Sequence, residues 1–147
     1  MIYDVIVVGA GPAGTSTAIL LAERGVRVAL VDKARFPRVK PCAEYANPEA
    51  MRVLGRLGIL DRVRESGAAV FSGMRVIAPG GAELELNYAR DAGRHALGIS
   101  RWALDGLAVE RCQELGVEVI DRTRVRDITL ATNQPGVIRG TRGGASL

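Results

Sequence analysis

From Ile2 to Val8 the chain is almost continuously apolar and rich in β-branched residues, broken only by Tyr3 and Asp4. Such a run suits a strand buried on both faces at the centre of a parallel sheet, and it stops at Gly9. Pro12 to Arg24 then carries Ala13, Thr17, Leu20 and Leu21 at helical spacing before Gly25, which predicts a helix with a glycine stop. Val26 to Val31 reads as the next strand, so a βαβ unit with a right-handed crossover is complete within the first 32 residues.

Lys33 to Ala46 contains Pro37 and Pro41 and shows no periodicity. It reads as a loop long enough to imply a functional reason. Asn47 sits as an N-cap before Pro48, opening a helix that runs through Leu57 and closes at Gly58. Between Val70 and Tyr88, two extended runs flank Pro79-Gly80-Gly81, the chemistry of a hairpin turn. The alternation Glu83-Leu84-Glu85-Leu86 predicts that one face of this hairpin is wet. Ser100 can cap a second long helix reaching Leu115, with Leu104, Ala108, Cys112 and Leu115 on one face and Gly116 at its end. Val117–Ile120 and Thr123–Leu130 read as strands, and residues 131–147 as a turn followed by the start of another strand.

Composition narrows the class. A chain of 147 residues that is 48% hydrophobic and 24% charged is long enough for a real core and is neither disordered nor fibrous. The net charge of +4 comes from 20 basic residues, nearly all Arg, scattered among 16 acids rather than gathered in a stripe, which argues against nucleic-acid binding. Cys42 and Cys112 form neither a CxxC motif nor a disulfide framework, so a reducing, cytoplasmic setting fits. No basic segment precedes the first apolar run, as a signal peptide would require. No apolar run approaches the ~20 residues of a membrane span. The chain reads as soluble, at most peripheral to a membrane.

Gly9-Ala10-Gly11-Pro12-Ala13-Gly14 is a GxGxxG set between a predicted strand and a predicted helix, and Asp32 ends the following strand. Gly9 permits the tight turn, Gly11 removes the side chain that would block a pyrophosphate, and Gly14 allows the helix to pack closely on the strand. The amides and dipole at the helix start face the phosphates, and Asp32 can accept from the ribose hydroxyls. This logic does not separate NAD from FAD, because both carry the same ADP moiety.

The run Asp4 to Gly14 resembles the flavoprotein version of this fingerprint. It is similar to the glutathione-reductase-type FAD domain, within the group of para-hydroxybenzoate hydroxylase, geranylgeranyl reductases and flavin-dependent halogenases. Phe36-Pro37-Arg38 with Lys40 and Cys42, Pro48-Glu49-Ala50 before Leu57-Gly58, and Arg101 with Leu104-Asp105 and Leu107 support the same group, and their spacing looks geranylgeranyl-reductase-like. The implied fold is α/β, a Rossmann-like FAD/NAD(P)-binding βαβ core with a parallel sheet and an inserted β-hairpin region. Its expected segments are the core (1–32), a loop and helix (33–66), the hairpin region (70–99), a returning helix and strands (100–130) and a tail (131–147).

The resemblance implies an FAD cofactor, with NAD(P)H as electron donor. By the same resemblance, Gly9, Gly11, Pro12, Ala13 and Gly14 lie at the pyrophosphate, Asp32 and Lys33 surround the ribose, Arg101 contacts FAD, and the backbone of Val125 lies beside the adenine. Relatives usually carry Glu where Asp32 stands, and glycines where Ala43-Glu44 follow Cys42. The downstream motifs that hold the rest of the flavin in this group, and its substrate-lining sheet, do not occur before Leu147, so the chain reads as the N-terminal portion of a flavoenzyme.

Individual residues keep more than one reading. Cys42 is a loop thiol or a flavin-adjacent one, and Cys112 is core. Arg101 opposes the dipole at a helix start, which a ligand anion or a salt bridge to Asp105 would explain. Trp102 reads as packing, His95 as non-catalytic, and Arg62, Arg64, Arg122, Arg124 and Arg126 as solvated. No metal site is legible. Three functions follow: an FAD-dependent reductase or monooxygenase acting on a small molecule, isoprenoid or aromatic; a NAD(P)-binding Rossmann module; or a non-catalytic nucleotide-binding fragment that self-associates or needs a partner chain.

Overall fold

In the computed structural model, residues 2–88, 95–130, 134–142 and 145–146 are described. The elements in chain order are β1 (Val5–Val8), α1 (Pro12–Ala22), β2 (Val28–Val31), β3 (Tyr45–Ala46), α2 (Pro48–Arg56), α3 (Leu60–Glu65), β4 (Ala69–Phe71), β5 (Gly73–Ile77), β6 (Glu83–Asn87), β7 (Ala96–Gly98), α4 (Arg101–Glu114), β8 (Glu118–Ile120), β9 (Thr123–Thr129), β10 (Val137–Arg142) and β11 (Ala145–Ser146). Two compact units share them: residues 1–38 with 105–147, and residues 39–104.

In the first unit, β1, β2 and β8 form a parallel sheet with β2 in the middle, in the register Val5↔Val28 and Ala29↔Glu118. All four residues of β2 are buried, Val28, Leu30 and Val31 each contributing on the order of 1.5–3 kcal/mol. The doubly buried centre is therefore β2. β1, expected there, alternates, with Ile6 36% and Val8 50% exposed, because successive side chains of a strand point to opposite faces and the face of Val5 and Val7 is the one turned toward α1. The crossover helix α1 packs on this sheet through Thr15, Ala18 and Ile19. The expected face of Ala13 and Thr17 points to solvent instead. Apolar residues occupy nearly every turn of α1, so periodicity alone had no means of choosing the face.

On α4 the buried line is Asp105, Ala108, Val109 and Cys112. Ala108 and Cys112 match the expected face, while Leu104 and Leu115 are only partly covered. The Cys112 thiol lies 3.7 Å from the Thr15 carbonyl oxygen, and burial pushes its pKa up to about 12. β9, β10 and β11 form an antiparallel meander with a bulge at Arg139/Gly140, so the tail does return as strand. Residues 131–133, 143–144 and 147 of that tail lie outside the described residues.

In the second unit, Asn47 Oδ1 accepts from the Ala50 amide at 2.8 Å and Pro48 begins α2, as the sequence predicts. The short α3 was not legible, since six residues carry less than two turns of pattern. β5 and β6 form the hairpin, pairing Met74↔Leu86 and Val76↔Leu84 around Gly81. Val70, expected within the hairpin, belongs to β4, which pairs with β7 beside β3. The hairpin is wet on both faces rather than one: Met74, Val76, Leu84 and Leu86 are 37–55% exposed. Trp102, expected to pack, is 54% exposed. Tyr45 and Tyr88 share a hydroxyl hydrogen bond of 2.6 Å, which pushes Tyr45 up to about 12.

Candidate dinucleotide site

The β1–α1 connection is shaped by what cannot be there. A Cβ on Gly14 would lie 1.7 Å from the Gly9 carbonyl oxygen and 3.4 Å from Val7 Cγ1, so only glycine lets α1 start this close to the strand. Gly9 turns with φ +102°, a region closed to most side chains. Gly11 is the extended N-cap of α1 and Pro12 its first residue. No side chain caps this end and no acid occupies its first turn. An anion can therefore meet backbone N–H groups and the positive end of the dipole without a competing carboxylate.

The hydroxyls just inside the helix are turned onto its own backbone. Thr15 Oγ1 donates to the Gly11 carbonyl at 3.0 Å, Ser16 Oγ to Pro12 at 2.6 Å and Thr17 Oγ1 to Ala13 at 2.9 Å.

Asp32 follows β2 directly and is 9% exposed. Its carboxylate bridges two loops: Oδ2 accepts from the Ala10 amide at 2.8 Å and Oδ1 from the Ala34 amide at 2.7 Å. Its own backbone ties β2 to the β8–β9 corner, through Asp32 N–H to Ile120 and Thr123 N–H to Asp32. The sequence reading assigned Asp32 to a ribose alone; here it also braces the glycine loop. Each oxygen retains a further lone pair, so acceptance from a ribose hydroxyl is compatible with the brace.

Beside this carboxylate opens a cavity of about 220 Å³ lined by Val8, Gly9, Val31, Asp32, Lys33, Thr123, Arg124 and Val125. Gly9, Asp32, Lys33 and Val125, all named from the sequence, meet here. Thr123 and Arg124 were missed. The two-residue period of β9 would have placed Thr123 on the face of Val125. Arg101 opens α4 in the other unit. Asp105, weighed as its partner, forms an ion pair with Arg38 at 3.3 Å. Cys42 is exposed and accepts from the Glu44 amide at 3.1 Å, and Glu44 takes φ +52°, a backbone region that favours the glycine relatives are expected to carry nearby. Among the described residues no cluster of His, Cys, Asp and Glu could hold a metal ion, and no helix is long and apolar enough to cross a membrane.

A parallel βαβ unit whose glycine loop opens onto an uncapped helix, with a buried acid ending the second strand, defines a dinucleotide-binding protein of the Rossmann type. Residues 2–145 match the family model described as FAD binding domain, and the chain belongs to that family. It is 35% identical over 131 residues to menaquinone reductase of Mycolicibacterium smegmatis, covering 86% of this chain and 30% of that protein. It is 31% identical over 140 residues to 6-methylpretetramide 4-monooxygenase of Streptomyces rimosus, covering 93% and 33%. A flavoprotein/dehydrogenase from Cytophaga hutchinsonii superposes with a TM-score of 0.85 at 27% identity, covering 97% of this chain and 35% of that one. The myxobacterial chondrochloren halogenase gives 0.85 at 27% identity, covering 99% and 34%. The chain thus spans about a third of the length of these relatives.

Proposed function

We propose that this chain carries the ADP-binding part of an FAD site in a flavin-dependent oxidoreductase of the reductase or monooxygenase type. The carrying observation is the approach of Gly14 to the Gly9 carbonyl, which leaves no room for any other residue and sets the amides at the start of α1 where a pyrophosphate can reach them. In this reading Gly9, Gly11, Pro12, Ala13 and Gly14 form the cradle for the diphosphate. Asp32 holds Ala10 in place and accepts from a ribose hydroxyl. Lys33 and Arg124 bring positive charge to the mouth of the cavity, and the β9 backbone at Val125 lies along the adenine. Arg101 is proposed as an FAD contact on the resemblance alone.

FAD, when bound, supplies reversible two-electron chemistry, and NAD(P)H is the proposed donor. The residues of this chain bind and orient it. The matched stretch covers about a third of the relatives, so substrate and reaction rest on the relatives' names, menaquinone reductase and 6-methylpretetramide 4-monooxygenase, and on the resemblance: the proposed substrate is a small molecule, isoprenoid or aromatic. We place the protein in the cytoplasm or at a membrane surface on its two free cysteines, which suit a reducing setting. The segments 1–32, 33–66, 70–99, 100–130 and 131–147 are proposed as the N-terminal part of one FAD-binding domain.

The test is a titration of the purified chain with FAD, followed by visible absorbance after gel filtration. Flavin retained by the parent and lost from Gly11→Val and Asp32→Ala is the expected result. A chain that ignores FAD but binds NAD would assign the same cradle to a nicotinamide cofactor.

A further inference from the structure

The first unit is discontinuous: the chain leaves it after Arg38 and returns at Asp105. These two residues meet. Arg38 Nη2 lies 3.3 Å from Asp105 Oδ2, with the aspartate side chain wholly buried and the arginine 15% exposed. The guanidinium also lies 5.2 Å from the centre of the Phe36 ring, and Pro37 Cβ is within 3.3 Å of where a side chain at Gly106 would begin. A carboxylate without solvent costs several kcal/mol unless it is paired, so this acid on the buried face of a helix is fixed in place by what it binds.

We propose that the Arg38–Asp105 pair is a clasp, closing the neck at which residues 39–104 leave and re-enter the first unit, and that it positions the nucleotide-binding carboxylate. The loop between Asp32 and Arg38 is held at two ends. At the near end the Ala34 amide donates to Asp32 Oδ1, and the Ala34 carbonyl accepts from the Arg122 amide at 3.0 Å. At the far end it is held by the clasp. Without the clasp, the two ends of a long insertion must be brought together against chain entropy, and the loop that steadies Asp32 loses its far anchor. Asp32 in turn loses the Ala34 amide, and the Ala10 amide in the glycine loop loses a fixed acceptor. Arg38 and Asp105 are thus positioning residues for Asp32, Lys33 and the cradle.

The clasp's part in nucleotide affinity rests on the FAD reading above, whereas its part in holding the loop does not. The experiment therefore measures amide hydrogen exchange at Ala10 and Ala34 in the full chain without nucleotide, for Asp105→Asn, Arg38→Lys and Cys112→Ala. Cys112→Ala serves as a core variant that leaves the clasp intact. The comparison is made after correction for each variant's melting temperature. Both clasp variants are expected to exchange roughly tenfold faster or more at these two amides than Cys112→Ala does. Arg38→Lys retains the charge and keeps the test open should Asp105→Asn fail to fold. Equal exchange at Ala10 and Ala34 in clasp and core variants overturns the proposal. FAD titration of the same proteins reads the second part: the clasp variants are expected to bind about tenfold more weakly. A parent that binds no FAD overturns the cofactor reading while the exchange data still decide the clasp.

Discussion

Gly14→Ala adds one methyl group where the structure has no room for it. The new Cβ would lie 1.7 Å from the Gly9 carbonyl oxygen, and real Cβ atoms stay beyond 3.0 Å, so α1 and the glycine loop must part by at least 1.3 Å. Overpacking of this kind costs about 1–3 kcal/mol or more when the obstacle is rigid backbone. Alanine returns up to about 1 kcal/mol through its better helix propensity. The net loss is about 2 kcal/mol, which for a chain of this size lowers the melting temperature by about 4–8 °C. The same displacement shifts the amides at the start of α1 away from a bound diphosphate, and losing one charge-assisted hydrogen bond weakens binding about tenfold or more. Circular dichroism melting and FAD titration measure the two effects. Gly55→Ala is the control: its Cβ would meet Leu60 Cδ2 at 3.7 Å, an ordinary contact, so this variant should melt at or above the parent temperature. A Gly14→Ala protein that melts with the parent and binds FAD equally would refute the close-packed cradle.

Other positions give separate tests. Glu44→Gly should stabilise the chain by about 0.5–1 kcal/mol in urea denaturation, because glycine takes φ +52° without strain; a loss of stability would show that the Glu44 side chain contributes more than its backbone costs. A thiol reagent at neutral pH should modify exposed Cys42 in the native chain and reach Cys112, whose burial pushes its pKa up to about 12, only on unfolding; two fast-reacting thiols would contradict that burial. The hydrogen bonds from the Arg27 side chain and backbone hold Asp4 at about 2, below its ordinary 3.8. A folded pKa below the unfolded one means stabilisation that is complete above about pH 4 and lost as the pH falls through about 2. Carboxyl titration by NMR should show this midpoint, and Arg27→Met should return it toward 3.8; a parent midpoint already at 3.8 rules the pair out.

The site was more legible than its surroundings. GxGxxG, the strand before it, the helix after it and Asp32 are local signals, each set by backbone sterics within a few residues, and the structure places them together. The faces of α1 and β1 were not legible, because burial of an all-apolar segment depends on which neighbour covers it. The brace from Asp32 to Ala10 joins residues far apart in sequence, and no periodicity encodes it. A faint trace of the clasp was present: an acid, Asp105, in line with Ala108 and Cys112 on an apolar helix face asks for a buried cation, though nothing local names Arg38.

The three hydroxyls folded back onto the carbonyls of α1 bear on how this protein can change. With Thr15, Ser16 and Thr17 turned to the helix's own backbone, the phosphate end presents main chain rather than side chain. Main-chain recognition is indifferent to almost every point mutation, glycine positions excepted, and equally indifferent to which diphosphate arrives. Robustness and promiscuity are here the same property. On the proposed reading, selectivity among nucleotides then falls to the adenosine end, at Asp32, Lys33, Thr123 and Arg124, where single substitutions would redirect the cradle to another ligand while the cradle itself stays unchanged.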